Sequence, residues 1–430
     1  MFSTATSNTP TSDTKRATIV IDRTFGTALA TLALVTAVPL SAEQWTGWRG
    51  GSRAAISAAP MPATLAARAA DVWAVPVGIG HASPLVDGQR VYVFARKGEQ
   101  EVAQALDLAT GKALWSAGYD QPYTMNPAAT GHGKGPKSTP LLAGGRLYTL
   151  GIAGVLSAFD AATGKVLWRH AYDKEFGPPP EFGTAMSPIF DNGLVIAHVG
   201  GASGGALRAF DPATGATKWS WAGDGPGYAT PVAMVAAGVR QIVTATKTRA
   251  IGVDAGSGAL LWSLPLTTPY EQNAVTPAVA GDLVILSGLD QSTFAVRPAR
   301  GSDGKWAAAK VWDAKEVPMY MSSPVVVGDT VYGFTHRNKG QFFALDVATG
   351  KTRWTSPPRQ SESTSITAAS GRLWCLTTDG ALVVVKADPA AYSAVAKIDV
   401  APSATWASPV LLGPQILVKD VDHLRLVRIG

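Results

Sequence analysis

The stretch Ala105-Leu106-Asp107-Leu108-Ala109-Thr110-Gly111-Lys112-Ala113-Leu114-Trp115 decides the fold, because the same phrase returns along the chain. Read as A-x-D-x-x-[ST]-G-x-x-x-W, it recurs at Ala158 to Trp168, Ala209 to Trp219, Gly252 to Trp262 and Ala344 to Trp354. A phrase that repeats at a fixed period marks a modular architecture in which each copy is one supersecondary unit. Each letter has a structural use. Gly supplies the positive φ of a tight hairpin, the preceding Asp caps that turn through backbone N–H groups, and the Trp is a large flat wedge between neighbouring units.

Around the phrase the units share one plan: a Ser-Pro or Thr-Pro pair, an alternating strand, a Gly-containing turn, a second strand, a third strand ending in Asp, and a fourth strand carrying Trp. This is a four-stranded meander. The pairs fall at Ser83, Thr139, Ser187, Thr230, Thr276, Ser323 and Ser408, with a degenerate equivalent at Ser365-Ile366, which makes eight units. The final-strand tryptophans are Trp73, Trp115, Trp168, Trp219, Trp262, Trp312 and Trp354, with Lys397 at the degenerate place. The two counts agree only if Trp73 belongs to the last unit, which has room for three strands between Ser408 and Gly430. A ring closed in this way leaves no open sheet edge. The expected fold is all-β, an eight-bladed propeller of four-stranded antiparallel blades over residues 71–430, closed by the N-terminal strand around Trp73.

Composition agrees with a buried, turn-rich β protein: 46% hydrophobic and 16% charged residues, with 45 Gly and 29 Pro in 430. The net charge of +6 is spread thinly, in small groups such as Lys134 with Lys137 and Arg337 with Lys339, so no basic stripe for nucleic acid is present. The single cysteine, Cys375, lies in the apolar run Leu373-Trp374-Cys375-Leu376 and reads as a small hydrophobe. No intrachain disulfide and no thiolate metal site can form.

Residues 1–42 read as a secretory signal peptide: a polar, basic start, an apolar stretch from Phe25 to Val38, and small residues before a mature start near Glu43. The alternative is an uncleaved anchor. No cysteine lies near the cleavage site for lipid attachment. The chain is expected to be exported, periplasmic or secreted, monomeric, and without a transmembrane span once the signal is removed. Residues 43–70 are expected to extend over the surface of the propeller.

The repeated phrase resembles the tryptophan-docking motif of the quinoprotein (pyrroloquinoline quinone, PQQ) dehydrogenase propellers, and residues 44 to 430 resemble the PQQ-binding-like repeat proteins as a whole. The opening Trp45-Thr46-Gly47-Trp48-Arg49-Gly50 is similar to a W-x-x-W-R-G start in secreted members of that family. The BamB-like outer-membrane assembly propellers carry the same repeat and bind no quinone. Membership among the dehydrogenases would imply PQQ on a Trp floor, a disulfide of adjacent cysteines and a Ca²⁺ held by oxygen ligands. Here one cysteine excludes the disulfide, and neither a D-x-D-x-D-G run nor a C-x-x-C-H site is present.

Two functions follow. The preferred one is a non-catalytic envelope binding or scaffold propeller without cofactor or metal, whose partner is an envelope protein, a peptide or a glycan. The alternative is a PQQ-dependent alcohol or sugar dehydrogenase using PQQ with Ca²⁺. Residues just before the Ser/Thr-Pro pairs surround one mouth of the channel, and His81, His132, Lys134, Lys137, Phe182, Tyr228, Asn273, Tyr320, Met321 and Trp406 are the candidate contacts. Glu181 and Gln272 stand beside them. The two histidines show no metal spacing. The loops Arg96-Lys97-Gly98-Glu99 and His336-Arg337-Asn338-Lys339 read as solvated tips on the same face.

Overall fold

In every copy of the phrase the Asp side chain folds over the turn, as expected: Asp107 Oδ1 accepts from Thr110 N at 2.9 Å and from Thr110 Oγ1 at 2.7 Å. The same pair of bonds closes the turn at Asp160–Thr163, Asp211–Thr214, Asp254–Ser257 and Asp346–Thr349. The strand pairing slips by one residue just after the first letter, between Ala105 and Leu106 in the first copy. Such a β-bulge bends the strand and increases its local twist.

The computed structural model describes residues 44–430, so the leader expected over residues 1–42 lies outside the described residues. Eight four-stranded antiparallel sheets follow in chain order. We number them blade 1 (85–120), blade 2 (141–170), blade 3 (189–221), blade 4 (232–265), blade 5 (278–314), blade 6 (325–355), blade 7 (364–399) and blade 8 (410–428). Blade 8 takes its fourth strand from Ala70–Pro76, which pairs antiparallel with His423–Arg428. The closure read from the Trp73 offset is therefore the observed one.

Six of the seven docking tryptophans bond across to the following blade. Trp73 Nε1 donates to Leu108 O at 2.9 Å, Trp115 to Ala161 O at 3.0 Å, Trp168 to Pro212 O at 3.2 Å and Trp219 to Ala255 O at 3.1 Å. Trp312 reaches Val347 O and Trp354 reaches Asp388 O, both at 2.8 Å. Where the next blade carries the Thr-Gly turn, the ring lies on it: a Cβ on Gly164 would stand 2.5 Å from Trp115. Gly is thus required both by its φ of +76° and by the indole pressed on it.

The Ser/Thr of each Ser/Thr-Pro pair has a use that sequence reading did not supply. Ser408 N donates to Ser83 Oγ, Ser83 N to Thr139 Oγ1, Thr139 N to Ser187 Oγ and Ser187 N to Thr230 Oγ1. Thr230 N then bonds Thr276 Oγ1, and Thr276 N bonds Ser323 Oγ. This hydroxyl belt ties seven blades around the channel, and Pro follows at each because the ring no longer needs its N–H. It is open at blade 7, where Ser365 Oγ is buried without a partner.

Residues 44–69 are not simply laid over the surface. They form a strap that crosses the ring: Trp45 bridges Val86 of blade 1, Thr46 O accepts Leu142 N of blade 2, and Ile56 bridges Ala368 of blade 7. Midway, Trp48 Nε1 donates to Thr276 Oγ1 at 3.2 Å and Arg49 to Pro324 O. Trp48 therefore reaches the belt itself. Cys375 is fully buried, and burial pushes its thiol well up, as its apolar strand implied.

Candidate functional site

A cavity of about 240 Å³ opens at the channel mouth, with Trp48 and the belt residues Ser187, Thr230, Thr276 and Ser323 bordering it. Loops that lead into the first strands of the blades build its walls. His81, His132, Lys137, Phe182, Tyr228, Tyr320, Met321 and Trp406 all line it. The sequence-level choice of loops thus converges on one chamber.

Two expected residues lie elsewhere. Asn273 is fully buried, and its Nδ2 donates to Thr246 O at 2.8 Å and Leu266 O at 2.7 Å, so it ties a loop to blade 4. Its neighbour Gln272 lines the cavity instead. Lys134 points outward to Glu99 at 3.8 Å, and only its carbonyl takes part, accepting from Arg96 Nε at 2.9 Å. Arg96 is no solvated tip: it is 2% exposed and its Nη2 also donates to Gln121 O at 2.7 Å. That clasp holds the 121–137 loop, whose short 3-10 turn Pro127–His132 sets His132 over the cavity.

Trp48, Ala128, Ala129, Ala185 and the belt hydroxyls are lining residues that the loop argument missed. The W-x-x-W-R-G opening was the available signal for Trp48, since a second tryptophan so close to the first needs a burial site of its own.

One wall is nitrogen-rich. The His81 ring stands 5.8 Å from His132 and 6.0 Å from Trp406, and His132 stands 4.8 Å from Trp406. Burial first, then the nearby His132, Lys137 and Lys419, push the His81 pKa down to about 3. It is therefore a neutral imidazole at ordinary pH, and its buried Nε2 has no partner. Burial also lowers Lys137 to about 8, while its Nζ donates to Phe182 O at 2.7 Å. Across the cavity Tyr320 donates to Gln272 Oε1, and burial raises the Tyr228 hydroxyl so that it stays protonated.

Chemically this is an aromatic chamber with the Lys137 ammonium and one unspent polar atom, His81 Nε2, at its wall. Its lining contains no carboxylate and no cysteine. The belt hydroxyls Ser187, Thr230, Thr276 and Ser323 already accept backbone bonds. A group of Asp420, Asp422 and His423 lies on blade 8, but Asp420 already accepts from His423 N at 2.8 Å and Arg425 Nε at 3.0 Å.

Residues 98–356 match the family described as outer membrane protein assembly factor BamB. The chain belongs to this family. It is 24% identical over 330 residues to the outer membrane protein assembly factor BamB of Yersinia pestis, covering 74% of this chain and 68% of that relative. It is also 35% identical over 122 residues to the dehydrogenase subunit of a quinone alcohol dehydrogenase of Gluconobacter oxydans. That match spans 27% of this chain and 16% of the relative. Among solved structures, a quinohemoprotein alcohol dehydrogenase from Pseudomonas putida shares the fold at a TM-score of 0.61 and 13% identity, over 90% of this chain and 80% of that one. Assembly factors and quinone enzymes thus share this architecture, and fold alone does not choose between them. Among the described residues no helix is long and apolar enough to cross a membrane.

Proposed function

We propose that the protein is a non-catalytic binding propeller of the cell envelope that holds an extended peptide segment of an envelope protein at the channel mouth. The observation that carries this reading is the chamber itself. It is aromatic and lined by no carboxylate, with the unpartnered His81 Nε2 and the Lys137 ammonium at its wall, a composition that fits apolar side chains flanked by peptide groups. The family match to an outer-membrane assembly factor supports an envelope partner, and the leader-like residues 1–42 support export to the periplasm.

Support for a cofactor-free site comes from the donor set. Ca²⁺ takes six to eight oxygen ligands, typically with carboxylates among them. The lining supplies hydroxyls and one amide but no carboxylate, so a quinone–calcium pair does not fit it. The dehydrogenase reading retains the Gluconobacter similarity in its favour.

The test is photo-crosslinking in the envelope of the source cells, with the crosslinking amino acid placed at Met321, which is 37% exposed at the rim. Crosslinks to an envelope polypeptide that vanish when Tyr228, Tyr320 and Trp406 are replaced by Ala support the reading. Crosslinks that persist unchanged in that triple variant move the interface to another face. Turnover of alcohols or sugars with PQQ, Ca²⁺ and a redox dye would replace it by the dehydrogenase.

A further inference from the structure

Beside the mouth cavity, where the belt is open, lies a second and smaller chamber of about 50 Å³. Trp48, Arg49, Ser323, Ser365, Ser408 and Trp406 border it. Everywhere else around the ring a blade's Ser or Thr hydroxyl takes a backbone N–H from its neighbour. At blade 7 this fails on both sides: Ser365 Oγ is buried without a partner, and blade 6 is joined instead through Thr364 N to Ser322 Oγ at 3.1 Å.

Arg49 enters the same place from the strap. It is 5% exposed, and the bond to the Pro324 carbonyl is its side-chain contact. A buried charge is normally paired. Arg96 has Glu99 at 3.4 Å and Arg53 has Asp191 at 3.7 Å. For Arg49, burial alone lowers the pKa to about 10, and no carboxylate stands near enough to offset it. The guanidinium remains a cation at neutral pH, with N–H donors to spare and no counter-charge among the described residues.

We propose that this chamber binds one small inorganic anion of chloride size, held between the Arg49 guanidinium and Ser365 Oγ. The anion completes the ring where the hydroxyl belt does not, and it couples the strap to blades 6, 7 and 8. The volume admits a monatomic or small planar anion. The site adjoins the mouth cavity, with which it shares Trp48, Met321, Ser323 and Trp406, but its anion ligands Arg49 and Ser365 do not line that cavity.

Bromide is the probe. Crystals of the full chain soaked in sodium bromide should show an anomalous peak within hydrogen-bonding reach of Arg49 and Ser365. In solution, the unfolding midpoint should rise saturably in sodium chloride relative to sodium gluconate at equal ionic strength, as mass action on the folded state requires. Arg49→Gln should abolish that difference. If this variant does not fold, Ser365→Ala keeps the test open, since loss of one bond to the anion should weaken its binding roughly tenfold. An empty chamber in the anomalous map overturns the proposal, as does bromide bound only at surface lysines. Identical midpoints in chloride and gluconate do the same.

Discussion

Trp219 on blade 3 and Trp262 on blade 4 occupy the same letter of the repeat and do different things. Trp219 bonds Ala255 O of blade 4 and lies on Gly258, where a Cβ would stand 2.5 Å from its ring. Trp262 instead turns back to its own blade and donates to Gln241 Oε1 at 2.7 Å. The cause is in blade 5. Its third and fourth strands, Gln291–Arg300 and Trp306–Ala314, run on as a long hairpin, with Arg297 where the other copies carry Asp, so the residues that form the receiving turn elsewhere are here paired strand. Blade 4 adapts with Gly252 as first letter, because a Cβ there would meet Trp262 Nε1 at 2.2 Å. The docking tryptophan is half of a joint, and the following blade supplies the other half.

The largest effect tests the complete joint. Trp219→Ala removes a buried indole from between two blades and should cost about 3–5 kcal/mol in chemical denaturation. A loss below about 1 kcal/mol would mean that the blades hold together without it.

A second test separates joints from mouth residues through pH. The His81 pKa of about 3 lies below its ordinary value, so the unfolded state takes up a proton that the folded state refuses between about pH 6.5 and pH 3. Stability from this group is complete above pH 6.5 and drains as pH falls, with a limiting slope of about 1.4 kcal/mol per pH unit. His198, lowered to about 4 by burial, adds a slope of the same sign. His81→Phe should therefore flatten the acid limb of the stability curve, measured by denaturant titration from pH 7 to 4. Trp219→Phe should lower the whole curve without changing its shape.

What the sequence made legible follows the same division. Repeated letters could be read because each copy supplies the same physical problem: Asp107, Gly111 and Trp115 fixed the turn, the closure at Trp73 and the ring size. The mouth was legible only by position, since each blade contributes a different residue there. His81, Phe182, Tyr228, Tyr320 and Trp406 were reached by counting back from the Ser/Thr-Pro pairs. Gln272 and Asn273 were both reached, and Asn273 was preferred as the contact because alternation cannot say which of two adjacent amides faces inward. The W-x-x-W-R-G opening marked Trp48 as a residue needing burial, but where Trp48 and Arg49 land was out of reach, since a strap crossing the ring is fixed by contacts 228 and 275 residues away.

The incomplete joint at Trp262 makes a sharper prediction than the complete one. Trp262→Phe strands Gln241, which is fully buried and whose Nε2 already has no partner, and should cost about 1–3 kcal/mol. Adding Gln241→Leu removes the stranded amide and should return most of that loss in thermal unfolding. At Trp219 no such rescue exists, because its acceptor is the backbone carbonyl of Ala255. Failure of the double variant to recover would show that the ring's packing, and not its bond, holds the turned-back conformation.

The smallest expected effect lies at Lys397, where the repeat abandons tryptophan altogether. Lys397 Nζ stands 3.7 Å from Asp379 in a largely exposed pair, a contact worth little. The following blade explains the substitution: the third strand of blade 8, His423–Arg428, ends next to the C-terminus and is followed in space by Ala70–Pro76, so no turn connects them to receive a ring. Restoring the consensus with Lys397→Trp should then change stability by no more than about 0.5 kcal/mol, as for other surface substitutions. A gain of a full kcal/mol in denaturant titration would mean that a tryptophan stabilises a blade edge without its receiving turn. The two-part joint inferred from Trp219 and Trp262 would then have to be given up.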